Sequence, residues 1–136
     1  MEPRDDIMAA LKEGGIISQT ELNATREDIF LAASALNYWR IAVPCAGARS
    51  KAALLTKISD ALQFPDHFGM NLDALYDCLT DQLMSHAGKG KKGAVLLLEG
   101  TAGLPKDALA PVIDTLLDAA EFVQMKGSRL TLVQCA

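Results

Sequence analysis

The run Ala94-Val95-Leu96-Leu97-Leu98 carries no polar side chain at any position. A strand with one face in water alternates apolar and polar residues. A short unbroken apolar run therefore reads as a strand covered on both sides. Helices do the covering in such folds, and strands joined through helices run parallel. Two further strands fit beside it. In Tyr38–Cys45, Trp39, Ile41 and Val43 alternate with Arg40 and Ala42, and Pro44 and Gly47 close the segment. Leu130–Val133 is a second buried run. Between the strands the spacing turns helical. Ala53, Leu54, Ile58, Ala61 and Leu62 form one stripe behind a Ser50 cap. Leu109, Val112, Ile113, Leu116, Leu117, Ala120 and Val123 form another, with Pro105 or Pro111 marking its start and Gly127 its end. The order strand, helices, strand, helix, strand predicts an α/β fold with a small three-stranded parallel sheet and right-handed crossovers.

Residues 1–36 read as a helical N-terminal extension, and residues 37–136 as the main domain. Asp5 to Glu13 can form a short helix stopped by Gly14-Gly15, and Ile16-Ile17 a brief strand. Thr25 and Asp28 have the spacing of a capping box before Ile29, Phe30, Ala33 and Leu36.

Half of the 136 residues are hydrophobic, which fits a globular core. No apolar run approaches the ~20 residues that span a bilayer. The start, Met1-Glu2-Pro3-Arg4-Asp5-Asp6, lacks the basic and apolar blocks of a secretory signal. Cys45, Cys78 and Cys135 are odd in number and widely spaced, as expected of reduced thiols in a cytoplasmic protein. Neither a metal site nor a cofactor site is expected. Gly88 to Gly93 spells GxGxxG but precedes a strand, whereas a dinucleotide-binding loop follows one.

Function is concentrated in Asn71-Leu72-Asp73-Ala74-Leu75-Tyr76-Asp77-Cys78-Leu79-Thr80. Asn71 is placed to cap a helix. At 100° per residue, Leu72, Leu75, Cys78, Leu79 and Gln82 fall on one side, and Asp73, Asp77 and Thr80 on the other. Like charges one turn apart cost an isolated helix roughly 0.2–0.5 kcal/mol. The helix dipole offsets this for Asp73 near the N-terminus but not for Asp77. From Ile58 to Gly88 there is no Lys or Arg, while Asp60, Asp66, Asp73, Asp77 and Asp81 all lie there. Such a patch steers a basic partner and repels nucleic acid. Before it, Asp66-His67-Phe68-Gly69 reads as a tight connection, with Gly69 free to take positive φ.

The stretch Phe64 to Thr80, with its Pro, aromatic pair, Gly and Asn-Leu-Asp-Ala-Leu-aromatic-Asp-Cys-Leu-Thr, closely resembles the signature of the barstar family. The resemblance is weaker across the rest of residues 38–134 and does not reach residues 1–36. It implies a barstar-like fold and a non-enzymatic inhibitor, or immunity protein, that plugs the active site of a basic ribonuclease. The implied partner is an extracellular-type ribonuclease or a related nuclease toxin, with no direct contact to nucleic acid or membrane. Asp77 would take the place of the substrate phosphate. Asp73, Tyr76, Thr80, His67 and Phe68 would contact the enzyme, and Gly69 and Asn71 would supply backbone contacts.

The match has departures. His67 stands where the best-known member has Tyr, Gln82 where it has a second Trp, and Asp81 where it has Gly. The last helix of that member carries a contacting Glu; an ungapped count puts Phe122 there, with Glu121 as the neighbouring candidate. Two other readings stay open. One is a regulatory module on this scaffold that recognises another basic protein. The other is an enzyme using His67, Asp73 and Asp77 as acid–base groups. His67 itself could be a loop-packing residue, a pH-sensitive contact or a metal ligand. Tyr76 could pack inward or face a partner, and Trp39 could sit in the core or against the extension.

Overall fold

The computed structural model describes residues 2–136. The elements run α1 (Asp5–Glu13), β1 (Gly15–Ser18), α2 (Gln19–Leu22), α3 (Arg26–Ala35), β2 (Tyr38–Pro44), α4 (Lys51–Leu62), α5 (Leu72–Gly88), β3 (Gly93–Glu99), α6 (Lys106–Met125) and β4 (Leu130–Gln134). All strand pairs are parallel, in the order β1-β4-β3-β2.

The sheet therefore has four strands, where the sequence predicts three. The added strand is β1, whose Gly15 sits opposite Thr131 and whose Ser18 sits opposite Gln134. A strand of four residues is too short to display an alternation. Its partner lies far along the chain, so no local turn signal announces the pairing.

The unbroken apolar run is explained by the layers. Ala94, Leu96 and Leu98 of β3 face one core, together with Val43, Leu130, Leu132 and buried residues of α4, α5 and α6. Val95 and Leu97 face a second core, with Val133, Tyr38, Ile7, Leu11, Leu22, Ile29, Ala32 and Ala33. The period-2 geometry of a strand divides these residues between the two sides. Helices α1 and α3, from the first 36 residues, thus cover the face opposite α4, α5 and α6. Packing at the β2–β3 edge is close: a Cβ added to Gly93 would lie 2.8 Å from the Tyr38 ring.

Caps fix the helix starts. The Thr25 hydroxyl accepts from the Asp28 N–H while the Asp28 carboxylate accepts from the Thr25 N–H, both at 3.1 Å. Ser50 Oγ accepts from the Ala53 N–H at 3.1 Å. Pro105 occupies the N-cap of α6, and Pro111 lies inside that helix. Helix α5 continues through His86 to Gly88, into the start of the glycine-rich segment. His86 is held there by Trp39, the two rings stacking at 4.2 Å and 19°. That contact also places Trp39, which is half-buried against the core of the α4–α6 side.

Candidate functional site

The site is built on the first turns of α5 and the connection before it. Helix α4 ends at Gln63, which takes a left-handed φ of 55°. The chain then turns so that the Phe68 N–H donates to the Pro65 carbonyl at 2.9 Å. Phe64 and Phe68 pack together at 5.2 Å, each only 9% exposed. Phe68 thus pins the loop to the core, and His67 beside it points to solvent. Gly69 does not take the positive φ expected of it. The left-handed residue is Met70, with φ 52°. Gly69 is instead hemmed in, since a Cβ there would meet Asn71 Nδ2 at 3.3 Å.

Asn71 locks the junction from both sides. Its Oδ1 accepts from the Ala74 N–H at 2.8 Å, and its Nδ2 donates to the Gly69 carbonyl at 3.2 Å. The helix therefore leaves the loop in a fixed direction, and Asp73 and Asp77 both stand exposed on it. Tyr76 is half-buried, its ring edge-on to Phe122 of α6.

Thr80 departs from the helical-wheel reading. It is 6% exposed, and its hydroxyl donates to the carbonyls of Tyr76 (2.8 Å) and Asp77 (3.2 Å). The wheel assumes one covered flank, but α5 is covered by the sheet and also by α6. Thr80 secures the turn that carries Asp77. Met84 also packs against the core, and Cys78 is half-buried beside it.

Between α5 and α6 runs a cleft of about 360 Å³ lined by Leu72, Asp73, Tyr76, Asp77, Thr115 and Asp118. The exposed Asp118 brings a third carboxylate to Asp73 and Asp77. The sequence points to Glu121 on α6 through the resemblance and does not single out Asp118. Its spacing was available: Asp114, Asp118 and Glu121 occupy the polar flank of that helix. Glu121, the residue singled out on α6, is exposed but does not line the cleft.

No ion pair neutralises this surface among the described residues. Among the described residues the ion pairs are Arg4–Asp6 and Arg26–Glu99, both outside the site. Lys89 and Lys91 lie at the far end of α5, where cations suit the helix dipole. The thiols are quiet. Burial pushes Cys45 up to about 11. Burial, then Asp81 and Asp77, raise Cys78 as well. No group of three potential metal-ligating side chains occurs among the described residues, and none of their helices is long and apolar enough to cross a membrane.

The site is thus a capped helix on an α/β domain, with aspartates that are exposed and form no ion pair among the described residues. Residues 40–135 match the family described as barstar (barnase inhibitor), and the chain belongs to that family. A protein of Bacillus subtilis (strain 168) named "Putative ribonuclease inhibitor YrdF" is 65% identical over 23 residues, which are 17% of this chain and 25% of that protein. The aligned part thus spans about a quarter of that relative.

Proposed function

We propose that this chain inhibits a basic ribonuclease by laying α5, flanked by α6, across the cleft that holds the RNA backbone. The observation that carries the reading is the pair Asp73 and Asp77, exposed and without an ion pair among the described residues, on a helix fixed by Asn71. A ribonuclease cleft must bind phosphates and is therefore cationic. A carboxylate accepts a guanidinium fork much as a phosphate does. Asp77 is the phosphate mimic, Asp73 and Asp118 are accessory acceptors, Tyr76 lines the same cleft, and His67 is a peripheral contact from the neighbouring depression. Little side-chain ordering is needed on binding, because the carboxylates ride on a preformed helix. Thr80, Phe68, Gly69 and Asn71 act by shaping and holding the contact surface. The family membership agrees with this activity.

The acid–base enzyme reading is weaker. His67 lines a depression with Cys78, Asp81 and Gln82, whereas Asp73 and Asp77 line the cleft toward α6. The three groups do not converge on one concavity.

The test is titration of the purified chain into RNA-cleavage assays with basic microbial ribonucleases. Stoichiometric inhibition by the wild type, lost in Asp77→Ala and kept in Glu13→Ala on the far layer, supports the reading. Equal potency of the two variants rejects it.

A further inference from the structure

We infer that the groove beside Met70 takes the side chain of a lysine or arginine from the same ribonuclease, the stem lying on Met70 and the head among carboxylates. The inference rests on the ribonuclease reading above. The groove measures about 340 Å³ and is walled by Phe64, Pro65, Phe68 and Met70, with Asp60 and Asp66 among its lining residues. Exposed Pro65 and Met70 beside Asp60 and Asp66, with Ser59 and Gln63 completing the lining, suit a long cationic side chain, which buries its methylenes and keeps its charge solvated or paired.

Met70 itself carries the stronger argument. A residue with a Cβ resists a left-handed φ, and the residues that tolerate it best are Gly and Asn. Met70 holds φ 52° all the same, although Gly69 is its neighbour. The bonds of Asn71 to Gly69 and Ala74 enforce that geometry from the C-terminal side. The result is a large apolar side chain left 41% exposed at the start of the acidic helix. A strained backbone that holds an apolar group in water gives the fold no return, and strain of this kind collects at ligand-contacting positions. Met70 of the groove is separated in the chain from Leu72 and Asp73 of the acidic cleft by Asn71 alone. No Lys or Arg lies between Ile58 and Gly88 to compete for it. Lys57 does not line it and forms no ion pair with Asp60 among the described residues.

The experiment compares the full chain with Met70→Gly, Met70→Asn, the double variant Asp60→Asn/Asp66→Asn, and Asp77→Ala. The probes are a panel of basic microbial ribonucleases that includes barnase. Both Met70 variants relieve the left-handed strain, so they should melt at or above the wild-type temperature. Their complexes should nevertheless dissociate about tenfold faster, equally at low and high salt, as expected for a lost apolar contact. The double variant should associate more slowly, chiefly at low salt. Wild-type dissociation from the Met70 variants, alongside an impaired Asp77→Ala, overturns this inference alone. Inhibition of no probe by the wild type, or an unimpaired Asp77→Ala, overturns the ribonuclease reading and this inference with it.

Discussion

Tyr76 of α5 meets Phe122 of α6 edge to face, with ring centroids 6.2 Å apart and planes at 70°. The contact ties together the two helices that form the acidic cleft. An aromatic pair of this geometry contributes about 0.5–1.5 kcal/mol beyond its buried area. Phe122→Leu should therefore lower stability by about 1 kcal/mol, and Phe122→Ala by more. Urea denaturation reads the loss. Because the cleft walls move with Tyr76, both variants should also weaken ribonuclease inhibition more than their stability loss alone accounts for.

The three carboxylates of the cleft separate binding from folding. Asp77→Asn and Asp118→Asn remove like-charge repulsion, so neither should destabilise the fold, and each adds at most a few tenths of a kcal/mol. Association with a basic ribonuclease should slow for both, more for Asp77, and its dependence on salt should flatten. Stopped-flow association at several ionic strengths measures this, with Glu13→Gln as the control.

The second core predicts the opposite separation. Ile7 and Leu11 of α1 are fully buried against the sheet face that lies away from the cleft. Leu11→Ala should cost about 2–5 kcal/mol, the range for a core leucine truncated to alanine. Inhibition per folded molecule should be unchanged. Chemical denaturation together with active-site titration would reveal any coupling between the layers.

His86 supplies a pH dependence. Burial, then Lys89 and Lys91, lower its pKa from the ordinary 6.5. The unfolded chain is therefore protonated first as the solution is acidified. The stability linked to His86 is complete above about pH 6.5 and falls as pH drops through that value toward the lower folded pKa. His86→Phe keeps a ring against Trp39 but cannot titrate. Its melting temperature should decline less than that of the wild type between about pH 7 and pH 5.5.

Much of the molecule was legible where a periodicity or a cap speaks locally. The alternation in Tyr38–Cys45, the apolar run in β3, the Ser50 and Asn71 caps and the α6 stripe each place an element. The β3 run even announced that the sheet is covered on both sides. What stayed hidden depends on neighbours distant in sequence. The pairing of β1 with β4, the burial of Thr80 under a second helix and the arrival of Asp118 beside Asp73 are products of tertiary packing. Met70 was missed for a different reason: the glycine next to it carries the usual signal for a left-handed turn, and the signal is displaced by one residue. The acidic helix was legible because its unpaired aspartates break the pattern that stability alone would favour.

The partnership of Gly15–Ser18 with Thr131–Gln134 also constrains the chain while it is being made. On a ribosome, β1 emerges long before the strand it must join. The core beneath α1 lacks Val133 and the rest of β4 until that strand clears the exit tunnel. Ile7, Leu11 and Ile29 are then available to chaperones or to one another. A parallel pairing of such long sequence separation closes slowly. The N-terminal layer should therefore be the late-docking part of a newly synthesised molecule.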